Sequence, residues 1–581
     1  MNQNVQINKQ LYIAEWQVDE SSNSLIQGER VIKLESKMMD LLIFLSQRPG
    51  VIVGREEIET TVWANSVVGY DALTGCITKL RKVLGDNPRN PTFIETVSKK
   101  GYRLIAPVRE IESKPEVKLS FSNHAKKSSF SNLSSGKNLV YVASLLLILL
   151  LVGFAASYFL PSQTDQSQTQ ATPVVDAKSG LMEKTPPVLT RPSITILPFV
   201  DLSPDQSQQY FSNGITADIT TAISKLSGLF VISWSSASSF INQNATLEQV
   251  SASLGVRYVL EGKVRREKDA LRVNVQLVDA TTGIHLWAER YDRKINDILR
   301  VQDDIAEKIV AALSISLTTA EKNRKSKRYT SSIAAYDDFL KAQASYQRAS
   351  FKDTLEARKL FQRAIDRDPN FARAYGAMAL SYVDEFRFRW GVSNGETLSK
   401  ALSLAQKAVS LDKNLPQAYW VLGYVHLHRK EYDKAMASML EANVLDPNNA
   451  DVYGLLGLIS VYQDQPKKAV RLIEKAKVLN PHYSAHYPSV LGQAYYSLGE
   501  YKLAVKALSE AIERNLDLLT AHVYLVAALA KLNQHEEAQW QAEQIRLIAP
   551  EFSVSDIGDL FPFNNPMLKT EIVDQFIALG F

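Results

Sequence analysis

Residues 139–160, LVYVASLLLILLLVGFAASYFL, run for twenty-two positions without a formal charge. No other stretch constrains the chain as strongly. At about 1.5 Å per residue, a helix of this length crosses the roughly 30 Å hydrocarbon layer of a bilayer. A core helix of a globular domain ordinarily keeps a polar stripe, and no face of this one carries a charge. A single transmembrane helix is therefore expected at 139–160. A cleaved leader does not fit, because a segment long enough to fold precedes the stretch. Lys126, Lys127 and Lys137 lie before it, whereas Asp165, Asp176 and Lys178 are the first charges after it. Positive-inside bias then predicts a single-pass bacterial inner-membrane protein, with residues 1–138 cytoplasmic and residues 161–581 periplasmic.

That partition makes the charge informative. The 581 residues carry a net charge of +4, and residues 1–138, with 19 Lys+Arg against 15 Asp+Glu, account for all of it. Within residues 69–109 the balance is eight cations to three anions, so the basic character is local. Cys76 is the sole cysteine, which leaves the expected exported part to be held by its core rather than by disulfides. No Cys or His cluster has metal-ligand spacing, and the pairs His426/His428 and His482/His486 read as packing or surface positions. No nucleophile–base, metal or phosphate-loop constellation points to an enzyme, and no cofactor is expected.

Short apolar runs over residues 11–34, broken by Ser21 to Ser24 and Gly28, have the pattern of a small antiparallel sheet. Apolar spacing then predicts helices over 36–47, from about 55 to 63, and over 71–84. In the third helix Leu73, Ile77, Leu80 and Leu84 form one apolar stripe. The opposite side presents Thr74, Thr78, Arg81 and Lys82, with Lys79 at its edge. Small hydroxyls beside long cations suit a major groove, where Thr approaches bases and Lys or Arg meets phosphates and guanine edges. Residues 92–97 and 102–106 read as a hairpin with a basic tip at Lys99 and Lys100. Three helices followed by such a hairpin make a winged helix.

The order LESKMMDLLIFLSQRPGVIVGREEI, VWAN, DALTGCITKLRKVLGDNP and FIETVSKKGYRLIAPV resembles the winged-helix DNA-binding domain of OmpR/PhoB-type regulators, in the membrane-tethered ToxR/CadC-like branch. The resemblance covers residues 8–108. It implies that the face from Thr74 to Lys82 enters the major groove of double-stranded promoter DNA, and that the wing with Thr96, Lys99, Lys100 and Arg103 reaches the adjacent backbone or minor groove. Some relatives carry Arg where Thr78 stands, so base preference does not transfer. Residues 109–138, rich in Ser and Lys, read as a flexible cytoplasmic linker with a typical end-to-end distance near 30 Å.

Residues 161–192 read as a second, periplasmic linker. Beyond them, strands at 193–200, 229–233, 258–266, 271–279 and 284–291 alternate with helices at 211–226 and 247–254, and a long helix closes the segment at 295–319. This predicts an α/β domain over 193–320. Its phrases ILPFVDLS, YFSNGITADITTAISKL, LGVRYVLEGKVRR and LRVNVQLVDATTGIHLWAERYDR resemble the TolB-like domain, which implies a binding or coupling role without catalytic residues. Over residues 334–550 the phrases AIDRDP, AVSLDK, ANVLDP, AKVLNP and AIERNL recur, mostly at the 34-residue period of tetratricopeptide repeats. About six repeats are expected, stacked as an all-α solenoid that binds a protein or peptide. Residues 551–581 are expected to cap it, and an insertion near 386–397 to form a lip.

The expected fold is thus multidomain: an α+β winged helix, a single transmembrane helix, a TolB-like α/β domain and a repeat solenoid. The expected function is a membrane-anchored one-component transcription regulator that senses a signal or partner through the exported domains. Homodimers would pair two reader domains on one DNA. The alternative is an envelope scaffold that organises partners through its repeats.

Overall fold

The computed structural model describes residues 9–28, 30–63, 72–88, 90–97, 100–112, 191–203, 207–241, 245–323, 329–388, 390, 395–560 and 565–581. One compact unit holds Lys9–Glu112 together with Pro187–Phe581.

Its first part begins with strands β1 (Lys9–Ile13), β2 (Trp16–Asp19), β3 (Ser24–Gln27) and β4 (Arg30–Lys33), then helices α1 (Ser36–Ser46), α2 (Arg55–Val62) and α3 (Ala72–Leu84), then β5 (Ile94–Val97), β6 (Gly101–Leu104) and β7 (Val108–Glu112). The sheet runs β4-β3-β2-β1-β7, and β5 pairs β6 as a separate hairpin. Alternate apolar residues turn inward, so Ile13, Trp16 and Leu25 from the sheet meet Leu41, Leu42, Ile58, Leu73, Ile77 and Leu80 from the helices in one core. β7 replaces the start of the linker expected at 109. It pairs Ile13 with Val108 and Lys9 with Glu112, giving β1 a partner on its other edge, which apolar periodicity alone does not reveal.

The second part is a mixed sheet of β8 (Ser193–Ile196), β9 (Val200–Asp201), β10 (Phe230–Val231), β11 (Tyr258–Glu267), β12 (Ala270–Asp279) and β13 (Ile284–Lys294). Its order is β10-β8-β11-β12-β13, with β9 beside β11. Strands β10 and β11 run parallel to β8, and β11, β12 and β13 are antiparallel neighbours. Helices α4 (Gln209–Ser224), α5 (Trp234–Ser238), α6 (Leu247–Leu254) and α7 (Ile298–Ala312) accompany the sheet, and α8 (Thr319–Asn323) follows. The single helix expected at 295–319 is broken after Ala312, where Ser314 takes a φ of 51° and interrupts the helical ladder.

Six helix pairs follow: α9 (Ile333–Tyr346) with α10 (Phe351–Arg367), α11 (Ala372–Arg387) with α12 (Gly395–Leu411), α13 (Pro416–His428) with α14 (Tyr432–Leu445), α15 (Ala450–Tyr462) with α16 (Pro466–Leu479), α17 (His486–Ser497) with α18 (Tyr501–Arg514), and α19 (Leu519–Lys531) with α20 (His535–Ile548). Small residues set the spacing. Ala401, Ala435, Ala469, Ala504 and Ala538 recur at nearly one period and are all fully buried. A Cβ on Gly492 would lie 2.3 Å from Leu508 Cγ and one on Gly457 would lie 2.7 Å from Ile473 Cδ1, so paired helices approach only because these positions are bare. Helices α21 (Val554–Leu560) and α22 (Pro566–Ala578) complete the chain. Part of the expected lip, residues 389 and 391–394, lies outside the described residues.

A buried polar network ties the α/β part to the repeats. Asp218 on α4 accepts from Arg373 Nη1 at 2.7 Å and from the Tyr336 hydroxyl at 2.5 Å, and Gln302 donates to that hydroxyl at 3.0 Å. Asn448, after α14, donates to the carbonyls of Ser224 at 2.8 Å and Leu226 at 3.1 Å. The winged helix in turn shares a core with the last repeats, where its apolar residues join Leu516, Tyr524 and Leu525. The Trp540 indole donates to the Lys33 carbonyl at 3.3 Å.

These contacts correct the expected topology. Among the described residues no helix is long and apolar enough to cross a membrane, and the stretch at 139–160 lies outside them. The fold class with a single transmembrane helix, the single-pass inner-membrane localisation and the inner membrane as a partner are therefore set aside. The physical reason lies in the packing: a bilayer between residues 1–138 and 161–581 would forbid the core that the winged helix shares with the last repeats.

Candidate nucleic-acid interface

The third helix, α3, presents the candidate reading face because its apolar stripe is consumed by the core. Leu73, Ile77, Leu80 and Leu84 are buried, leaving Thr74, Thr78 and Lys82, each four residues from the next, exposed along one side. The Thr78 hydroxyl donates to the Thr74 carbonyl one turn back at 2.8 Å. Arg55 on α2 donates to the Thr74 hydroxyl at 3.4 Å and pairs with Glu59 at 2.7 Å. The amino-acid order does not mark Arg55 for this role. A cation that opens a short helix just ahead of Glu56 and Glu57 gives no sign that it will reach across to α3.

Arg81 does something other than wait for a phosphate. Its guanidinium donates to the Ile94 carbonyl at 3.2 Å through Nε and 2.8 Å through Nη2, and to the Thr96 hydroxyl at 2.8 Å. It thereby fastens α3 to the first wing strand. Asp86 completes the fastening from the loop after α3, accepting the amides of Thr92 at 2.6 Å, Phe93 at 3.2 Å and Ile94 at 2.8 Å. Burial alone would raise its carboxyl, but those backbone donors outweigh burial and hold it below the usual carboxylate range.

Thr96 and Lys100 are exposed on the hairpin, and Lys100 closes its tip by donating its amide to the Val97 carbonyl at 2.9 Å. Lys99 lies outside the described residues. Arg103 pairs with Glu95 directly across the ladder, with Nε at 2.8 Å from the carboxylate, so its charge is partly neutralised. Lys79 is placed differently from the rest. It is only 6% exposed, lies 3.3 Å from Glu35 and 3.4 Å from Asp517, and donates to the Leu516 carbonyl. Burial raises the Glu35 carboxyl, an effect that the charge of Lys79 partly offsets. Cys76 is fully buried and burial pushes its thiol well up, a packing residue rather than a reactive thiolate.

The arrangement is one exposed helix face, locked by Arg81 to a hairpin whose tip carries an exposed cation. It suits a duplex, with small hydroxyls toward base edges and Lys82 and Lys100 toward phosphates.

Residues 28–104 match the family described as "Transcriptional regulatory protein, C terminal", and residues 394–450 and 490–546 match a tetratricopeptide repeat. The cholera toxin transcriptional activator of Vibrio cholerae serotype O1 is 30% identical over 210 residues, which cover 31% of this chain and 70% of that protein. The chain belongs to the ToxR/CadC-like family. A further relative of this ToxR/CadC-like chain, named "Putative adenylate cyclase 3" in Rhizobium meliloti (strain 1021), is 37% identical over 253 residues, 44% of this chain. The chain spans 43% of that relative, less than half its length. Among solved structures, the DNA-binding domain of Escherichia coli CadC is 34% identical and covers 18% of this chain and 99% of its own, at a TM-score of 0.17.

Proposed function

We propose that this ToxR/CadC-like chain is a one-component transcription regulator that binds double-stranded promoter DNA through residues 9–112. The observation that carries the reading is the exposed Thr74, Thr78 and Lys82 face, held by Arg81 against a wing with Lys100 at its tip. Thr74 and Thr78 contact bases in the major groove, Lys82 and Lys100 contact phosphates, and Thr96 adds a wing contact. Arg81 and Arg103 shape the surface, and Lys79 tunes how the domain sits against the repeats. The α/β part acts as a TolB-like coupling domain, the repeats take a protein or peptide partner, and two copies pair on one DNA. The protein works without catalysis and without a cofactor.

Genome-wide DNA occupancy of the full chain, with Thr78→Ala/Lys82→Ala alongside, tests this. Discrete peaks that vanish in the double variant are the expected result. Absence of peaks in the parent under several growth conditions would sink the reading and leave a scaffold organised by the repeats.

A further inference from the structure

A cavity of about 280 Å³ lies between the α/β part and the repeats, bounded by α4, the segment after β10, α9, the first turn of α13 and the turn joining α14 to α15. Its size approaches the range of small-ligand sites. Two acceptors on its wall stand out. Asp446, only 2% exposed, has one carboxylate oxygen, Oδ1, buried without a hydrogen-bond donor among the described residues, and so has Gln417 at Oε1. A buried acceptor left unmatched has lost its water without gaining a donor, which destabilises the fold. Two such atoms from separate elements on one cavity wall are a departure that packing does not account for.

The rest of the wall narrows the ligand. Gly214, Ala217, Leu340 and Ala344 make one side apolar, and Tyr210 and Trp234 add aromatic surface. Asn448, the other buried polar group of this turn, is already committed to Ser224 and Leu226. The carboxyl of Asp446 is pushed up to about 6 by burial, an effect that the neighbouring polar groups of Ser224, Asn448 and Asn449 and the charge of Lys225 only partly offset. A vacant carboxylate here is therefore disfavoured, and a cation matched to it is favoured. A primary ammonium is strongly hydrated and gives up its water reluctantly. A guanidinium is weakly hydrated, stacks on aromatic faces and projects donors in several directions from one plane.

We propose that this cavity is a ligand site for a guanidinium group, with Asp446 Oδ1 and Gln417 Oε1 as its acceptors. Because the site is walled by both the α/β part and the repeats, its occupant bridges them. Binding here does not depend on the DNA-binding reading, since it is measured without DNA.

Calorimetric titration of the full chain with n-butylguanidinium, n-butylammonium and neutral butyramide tests the site. Butylguanidinium is expected to bind at millimolar concentration or below and more tightly than the other two. Asp446→Asn, which keeps the shape, and Gln417→Leu, which removes the second acceptor from a less buried position, should each weaken it by about tenfold. Circular dichroism confirms that the variants fold, and Gln417→Leu keeps the test alive if Asp446→Asn does not. No heat with butylguanidinium, equal or tighter binding of butylammonium or butyramide, or parental affinity in the folded variants would overturn the proposal. An Ala-Arg-Ala tripeptide separates the sources. Tighter binding than butylguanidinium identifies an arginine side chain of a peptide, and weaker binding identifies a free guanidino compound, both through the same head group.

Discussion

At the residue scale, the candidate site separates into side chains left exposed on the proposed reading face and side chains that build that surface. Thr78 is exposed and, among the described residues, its hydroxyl bonds within its own helix turn, so Thr78→Ala should leave stability within about 0.5 kcal/mol of the parent while lowering affinity for a bound promoter in an anisotropy titration. Lys82→Ala should weaken binding across sequences and reduce the salt slope by about 1. Arg81→Ala should behave oppositely to Thr78→Ala. It strips the Ile94 carbonyl and Thr96 of their donor, so urea unfolding of the winged helix should show a loss of about 1–3 kcal/mol, with the DNA effect following from the displaced wing. Gly101 is a further sensitive point. Its φ is +132°, and a Cβ there would sit 2.0 Å from the Val53 carbonyl oxygen. Gly101→Ala should break the Val53–Tyr102 bridge and cost on the order of 2 kcal/mol by the same assay. Thr74, Thr78 and Lys82 were legible as a face because helical periodicity places them there. The anchoring role of Arg81 was not, since its acceptor is a backbone carbonyl thirteen residues away, and no side-chain pattern marks a carbonyl.

At the element scale, local pattern determined most of what is seen. The helix Leu247–Leu254 falls where its apolar spacing and its Thr246 to Gln249 capping box put it, and the buried alanines of the repeats follow their period. Two boundaries differ for tertiary reasons. Strand β7 exists because the edge of β1 is available to it, and the helix after β13 stops at Ala312 where the chain turns. The joint between α4 and the repeats rests on a buried ion pair, Arg373 with Asp218 at 2.7 Å, with Arg373 also lying over the Tyr329 ring at 4.2 Å. Arg373→Ala should destabilise the chain by about 3–5 kcal/mol, because it leaves Asp218 charged and buried. The double variant Arg373→Met/Asp218→Asn should recover much of that loss in a denaturant titration, and no recovery would mean that the pair is not the source of the effect.

At the scale of the whole molecule, the seam between the winged helix and the repeats carries a pH signature. His522 is fully buried, with Nδ1 2.8 Å from Gln541 and Nε2 3.0 Å from the Leu516 carbonyl, the same carbonyl that accepts from Lys79. Burial, and then the charge of Lys79, lower the imidazole to about 4. The unfolded chain therefore takes up a proton there near pH 6.5 that the folded chain refuses until about pH 4. Stability from this group is full above about pH 6.5 and is lost as pH falls toward 4, by on the order of 3 kcal/mol. Asp446, raised by burial to about 6, acts in the opposite sense, its contribution being lost as pH rises through that value. His522→Gln leaves Asp446 untouched, so compared with the parent the variant's unfolding free energy at pH 4.5 should rise relative to its value at pH 7. An unchanged difference would place the acid-sensitive group elsewhere.

The winged helix, the alternation of strands and helices after residue 193 and the helical repeats are all written in the amino-acid order. Each of these rests on contacts close along the chain, written as periods of two, of about 3.6 and of 34 residues. That Lys79 is sealed under Leu516 and Asp517, that Asp218 meets Arg373, and that Asp446 and Gln417 share a cavity came from the folding of distant segments onto one another. Those pairings join residues far apart in the chain, and charge and burial at such distances leave no periodic trace in the amino-acid order.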